Sequence, residues 1–230
     1  MADLPPILFL HGLATSGSRT WGDNGWIDLV GEAKRESLVI DLPGHGENYT
    51  QSEYATFDKS ILFVEKNIHT APIDGIGFSL GATMLLTIAS RQPKVFRKLV
   101  LSGVGKNLFS SDSQRYKSIR KGISGTPDPD DPESRYFHQL AESSDINRVA
   151  LKALISSPMP QIEKESIAKI ECPVLVVLGE NDFAQPATEL VEALPDATYL
   201  ELKRVDHFST PKNFTFIESA LRFLNAEPKW

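Results

Sequence analysis

The stretch Ile73-Asp74-Gly75-Ile76-Gly77-Phe78-Ser79-Leu80-Gly81-Ala82-Thr83-Met84-Leu85-Leu86 decides the fold. An apolar run enters it, a serine stands between two glycines at its centre, and an apolar helix pattern leaves it. A serine at the tip of so tight a strand-to-helix turn takes a strained backbone and presents its hydroxyl beyond the sheet edge. Bulky side chains two residues away on either side would collide, so both positions are glycine. The helix N-terminus also aims free N–H groups and positive dipole at that point. Ser79 is therefore the candidate nucleophile. A rival reading takes Gly75, Gly77 and Gly81 as a dinucleotide fingerprint. Its spacing is one residue too long, and no acidic residue ends the next run, Lys98–Ser102, to hold a ribose hydroxyl.

Working outward, five further apolar runs match the one before Ser79: Ile7–Leu10, Leu38–Asp41, Lys98–Ser102, Pro173–Leu178 and Thr198–Leu202. Most are apolar on both faces, as strands buried in a parallel sheet are. Helix-period stripes lie between them: Trp26, Leu29, Val30 and Ala33; Phe57, Ile61, Val64 and Ile68; Leu190, Val191 and Leu194 with Ala187; and Phe214, Ile217, Leu221 and Leu224. Leu80–Gln92 is apolar nearly all round and stops before Pro93, which predicts a deeply buried helix. This alternation specifies an α/β fold with right-handed crossovers. The rhythm breaks between Ser102 and Pro173. There Gly122–Pro132 reads as loop, and helical patterns cover Asp112–Lys121, Glu133–Ser143, Asn147–Ile155 and Gln161–Ile170. The expectation is a core of residues 1–104 and 171–230, with residues 105–170 inserted as a helical lid over one end of the sheet.

A nucleophilic serine needs a base, and the base needs an orienting acid. Of the five histidines, His207 follows the last strand run, at the sheet end where Ser79 should emerge. His69 ends a helix and His138 lies in the insertion; both are expected in solvent. Asp182, in Gly179-Glu180-Asn181-Asp182 after the fifth run, is the chosen acid, with Glu180 as fallback. Asp206 adjoins His207 and so points elsewhere. The order Ser79, Asp182, His207 is serine–acid–histidine. An oxyanion hole is also required. The His11-Gly12 turn ending the first run offers a backbone N–H to act with that of Leu80.

The set Leu10-His11-Gly12, Asp41-Leu42-Pro43-Gly44-His45-Gly46, Gly77-Phe78-Ser79-Leu80-Gly81, Gly179-Glu180-Asn181-Asp182 and Asp206-His207-Phe208 resembles the α/β-hydrolase fold family over essentially the whole chain. The resemblance implies Ser79 as nucleophile, His207 as general base, Asp182 as its partner and the Leu13 and Leu80 amides as oxyanion hole. It makes His11 and His45 structural residues of turns. It also implies an edge position for Leu38–Asp41. Only residues 1–6, ending in Pro5 and Pro6, precede Ile7, so the family's usual N-terminal hairpin is not expected and the sheet should hold six strands, all parallel. An uncovered edge invites pairing, so a monomer or a homodimer is expected.

The expected reaction is cleavage of a small ester, as in a carboxylesterase, through an acyl-enzyme at Ser79. Ser79 argues against the dehalogenases and epoxide hydrolases of the fold, which use an aspartate. Thioesterases, carbon–carbon bond hydrolases and lyases keep the same three residues and stay open, as does a ligand sensor on the hydrolase fold. Trp21, Phe109, Tyr116 and Phe137 are candidate pocket residues, with Trp26 and Tyr136 beside them. No cofactor is called for, and the histidines show no metal-ligand spacing. The remaining exclusions come from composition. With 230 residues and 41% hydrophobic content, the chain supports one well-cored domain. A net charge of −6 without a basic stripe argues against nucleic acid, leaving a small molecule as the partner. The single cysteine, Cys172, permits no internal disulfide. No apolar stretch is long enough to span a membrane or act as a signal peptide, so a cytoplasmic location is the expectation.

Overall fold

The computed structural model describes residues 4–110, 113–158 and 162–228. Six strands form one sheet: β1 (Ile7–Leu10), β2 (Ser37–Ile40), β3 (Ile73–Phe78), β4 (Phe96–Ser102), β5 (Val174–Gly179) and β6 (Ala197–Leu202). Their spatial order is β2-β1-β3-β4-β5-β6, and every pairing is parallel. The α/β-hydrolase architecture expected from the sequence is thus present, with β2 at one edge. Chain order reverses direction between β1 and β3, where Leu10 is registered against Gly77. Such a switch point leaves a crevice at the carboxyl ends of the strands, where ligands of open α/β sheets bind.

Strand composition follows from burial on both faces. In β1, Leu8 and Leu10 face one core cluster while Ile7 and Phe9 face another. β5 repeats the pattern, with Val174, Val176 and Leu178 on the first side and Leu175 and Val177 on the second. Each such large apolar side chain, fully buried, contributes about 1.5–3 kcal/mol. The first cluster lies under α2 (Phe57–Asn67), α3 (Leu80–Arg91) and α8 (Thr188–Ala193); the second lies under α1 (Trp26–Glu32) and α9 (Phe214–Leu224). α3 is buried from Leu80 to Ala89, which explains its all-round apolar sequence.

Between β4 and β5 the chain forms α4 (Ser113–Ser124), α5 (Pro132–Ala141), α6 (Arg148–Ser156) and the short α7 (Lys164–Ile167). Local chemistry sets two of the starts. Asp131 Oδ1 accepts from the Glu133 and Ser134 amides with Pro132 at the first helical position, and Asn147 Oδ1 accepts from Val149 and Ala150. The first and last of these helices differ most from expectation. α4 runs through Gly122 to Ser124, because Gly122 lies where a Cβ would meet Ser134 O of α5 at 2.2 Å. The close approach of α4 and α5 therefore holds the glycine in the helix. The last expected helix shrinks to α7, since Ala168 and Lys169 close a turn and Ile170 is already packed in the core. The first residues of the expected segments Asp112–Lys121 and Gln161–Ile170 lie outside the described residues. A third, small apolar cluster joins Ile123, Phe137, Ile146, Leu151 and Ile155 of this region to Ala14 after β1. Among the described residues, no helix is long and apolar enough to cross a membrane.

Candidate active site

Ser79 caps β3 and opens α3 with φ 54° and ψ −111°, a conformation that costs a non-glycine residue energy. Tight surroundings impose it. A Cβ on Gly77 would lie 2.6 Å from the Ala82 backbone, and one on Gly81 would lie 2.3 Å from Leu10 O. The Ser79 amide donates to Ser102 O at 2.8 Å, and Ser79 O accepts from the Thr83 amide at 3.0 Å. Strand β4 and helix α3 thus hold the turn from both sides.

Two further strand ends deliver its partners. Asp182 follows β5 and His207 follows β6; both are buried. His207 Nε2 lies 3.1 Å from Ser79 Oγ. His207 Nδ1 lies 3.0 and 2.9 Å from the two Asp182 carboxylate oxygens. A carboxylate only accepts, so Nδ1 carries the proton and Nε2 is free to receive one from the serine. Asp182 Oδ1 is itself fixed by the Ala184 amide at 2.8 Å. The imidazole is packed between the rings of Phe78 and Phe183, at centroid distances of 4.8 and 4.2 Å. Gly103, at φ +70°, leaves it room: a Cβ there would lie 2.8 Å from His207 Cε1. Glu180 instead accepts from the exposed Arg204 amide, and Asp206 accepts from the Ser209 amide. Neither reaches His207.

The loop after β1 meets Ser79 directly, because a Cβ on Gly12 would stand 3.5 Å from Ser79 Cβ. Among the described residues, neither the Leu13 nor the Leu80 amide donates to a protein acceptor. Two buried histidines shape that loop. His11 Nδ1 donates to Gly12 O at 2.7 Å while its Nε2 accepts from the Leu42 amide at 2.9 Å. His45 Nδ1 donates to Pro43 O at 3.0 Å while its Nε2 accepts from the Ala14 amide at 3.3 Å. Both rings must be neutral to do this. Burial lowers the His45 pKa to about 3, with the neighbouring His11 adding to the effect; burial lowers His11 as well, opposed by Asp41. Both are structural residues of turns, as the resemblance implied; the amides they accept from are what the sequence left unread. His45 also forms an antiparallel bridge to Ile146, flanked by Gly46 N–H to Asp145 O and Asn147 N–H to Gly44 O.

A cavity of about 200 Å³ opens over Ser79 and His207. Of the predicted pocket residues, Phe137 lines it, as does Tyr136. The other predicted residues sit elsewhere. Trp21 is fully buried in the core against Phe9 and Trp26. Trp26 donates its indole N–H to Pro211 O and is likewise core. Phe109 lies beside Lys164 in a separate surface groove, and Tyr116 turns its hydroxyl to Ile155 O. Aromatic side chains near a motif in sequence were directed into the core by the local turn of the chain. His138 is not in solvent either; it is half-buried beside Gly122 O and Arg148. The cavity's unforeseen residues include Leu140, Phe208, Arg19 and Lys212. Phe208 was legible from its place next to His207; the two cations had no motif to announce them. Cys172 is buried before β5, where desolvation pushes its thiol up to about 11.

Known proteins resemble the chain at two levels. It is 25% identical over 95% of its length, and 94% of the relative's, to the pimeloyl-[acyl-carrier protein] methyl ester esterase of Nitrosospira multiformis. It is 28% identical over 71% of its length to the sn-1-specific diacylglycerol lipase ABHD11 of Danio rerio, and spans about half, 47%, of that protein. Among solved structures, MenH from S. aureus superposes with a TM-score of 0.74 at 20% identity, covering 100% of this chain and 96% of that one, which is a likeness of fold. Residues 7–215 match the model of the alpha/beta hydrolase family, and the chain belongs to that family.

Proposed function

We propose that the protein is a serine hydrolase that cleaves a small carboxylic ester through an acyl-enzyme at Ser79. The observation that carries this reading is the continuous chain from Ser79 Oγ through His207 to Asp182, beside two unused amides. His207 Nε2 takes the hydroxyl proton as Ser79 attacks the ester carbonyl. The Leu13 and Leu80 amides receive the negative charge on the carbonyl oxygen; one such donor is typically worth about 10²–10³ in rate. His207 then protonates the departing alkoxide. A water molecule, deprotonated by the same nitrogen, releases the acid and restores Ser79. Asp182 holds the imidazole in its working tautomer throughout. Residues 105–170 act as a helical lid on the core of residues 1–104 and 171–230, with Phe137 of α5 in the pocket wall. The ester reading is further supported by the name of the relative that matches nearly end to end, a methyl ester esterase.

The test is a series of p-nitrophenyl esters from short to long acyl chains, assayed with fluorophosphonate labelling. Ser79→Ala should abolish labelling and lower turnover by about 10⁴–10⁶. Activity that survives the substitution would sink the assignment. Absence of both labelling and ester turnover would favour a lyase or a ligand sensor on the same scaffold.

A further inference from the structure

We infer that the substrate of this site carries a negatively charged group, a carboxylate or a phosphate, which Arg19 and Lys212 receive. The inference rests on the ester reading above and narrows it. The cavity lining has two unlike parts. Phe137, Leu140 and Phe208 make one wall apolar. The helical turns Ser18–Gly22 and Thr210–Lys212, which pack on each other, contribute Arg19 and Lys212 to the rest of the lining. No carboxylate lines the cavity among the described residues. The chain as a whole has 30 acidic against 24 basic residues, so this lining opposes the background charge.

The two cations are held differently. Arg19 is anchored by Nε to Asp145 at 3.0 Å, by Nη1 to Ser143 Oγ at 3.3 Å and by Nη2 to Ala14 O at 3.2 Å. A guanidinium has five N–H donors, so the anchoring fixes its plane and leaves donors over. Asp145 offsets part of its charge from outside the cavity. Lys212 is exposed and has neither a hydrogen bond nor an ion pair to its side chain among the described residues. Asp206 feels its charge, but that carboxylate is tied to the Ser209 amide at 2.7 Å and is not a cavity residue. A neutral ester would use neither cation. An anion beside the ester would meet one anchored fork and one exposed ammonium, which suits binding without full desolvation. An exposed ion pair is worth up to about a fivefold gain, so the two together predict about five- to tenfold.

The experiment measures binding on Ser79→Ala protein by calorimetry, using amides that lack the ester. The p-nitroanilide of glutaric acid, with its free carboxylate, is compared with that of valeric acid; this probes the acyl side. The butyryl amide of m-aminobenzoate is compared with butyranilide; this probes the alcohol side. At least one acidic probe should bind about fivefold or more tightly than its neutral partner at low salt. That preference should fade toward about 1 M salt, where screening shortens to about 3 Å. It should shrink in Lys212→Gln and vanish in Lys212→Glu. Equal binding of both pairs, or a preference untouched by either substitution, overturns the inference. Hydrolysis of the matching p-nitrophenyl esters by the unaltered enzyme is scored separately. Turnover without charge preference removes the anion and keeps the esterase; charge preference in binding without turnover removes the esterase and keeps the anion site.

Discussion

The two ends of the sheet both bury ionisable groups, and they do so to opposite effect. At the amino ends of the strands, Asp74 Oδ2 accepts from Arg35 at 2.7 Å and from Arg97 at 2.5 Å. Both arginines also donate to Leu224 O, and Arg35 reaches Pro5 O, so the cluster ties the lead into β1, the strands β3 and β4, and the end of α9 together. Its charges are directed at one another, although Asp74 Oδ1 and Arg97 Nε have no hydrogen-bond partner among the described residues. At the carboxyl ends, Ser79 holds an unfavourable φ, and the Leu13 and Leu80 amides face no protein acceptor among the described residues. Local strain and unused donors accumulate where a reaction would supply the missing partner. The comparison teaches that the same currency of buried polarity serves cohesion at one end and readiness at the other.

Substitutions should separate the two. The largest effect belongs to Ser79→Ala, with turnover down by about 10⁴–10⁶ and a thermal midpoint within a few degrees of the parent, read by ester assay and calorimetry. Asp74→Ala should do the reverse. It leaves the buried Arg35 and the half-buried Arg97 without their carboxylate and should cost about 3 kcal/mol in a urea titration, while kcat of the folded fraction stays near the parent value. A large loss of kcat per folded molecule would break the division of labour. His45→Phe tests the boundary between the two ends. It removes the acceptor for the Ala14 amide, so kcat should fall about ten- to a hundredfold with KM little changed, and His45→Gln, which keeps an acceptor oxygen, should recover part of it.

The remaining effect is spread over pH and is small per pH unit. The folded His45 pKa is about 3, below the 6.5 of an exposed histidine. Between these values the unfolded chain binds a proton that the folded chain refuses. Stability from this residue is therefore complete above about pH 6.5 and is lost as pH falls toward about 3, with a slope of up to about 1.4 kcal/mol per pH unit. In His45→Gln that slope should flatten; an unchanged slope across the window would place the acid sensitivity elsewhere.

Much of this was legible in the chain because strands buried on both faces have a plain signature. Ile7–Leu10 and Val174–Gly179 announce themselves, and in an all-parallel sheet every strand end that matters lies on one side. Ser79, Asp182 and His207 could therefore be paired from their positions after strands alone. What stayed illegible depends on side-chain direction. Trp21 is two residues from Arg19, yet one enters the core and the other faces the cavity. Nothing in the composition of a short helical turn sets which does which. The partners of His11 and His45 were hidden for a related reason: a histidine accepting from a backbone amide leaves no periodicity behind.

The bridge between His45 and Ile146 has a consequence for anyone who would recombine this protein. Exchange of residues 105–170 for the corresponding segment of another hydrolase looks like a clean cassette swap. Here the seam does not fall at the ends of that segment. Gly44 and Gly46 share backbone hydrogen bonds with it, and the His45 ring between them accepts from the Ala14 amide in the loop that meets Ser79. A transplant that leaves the Asp41–Gly46 turn behind would carry the segment into a frame whose loop after β1 was set for a different neighbour. The heritable unit is the segment together with that turn.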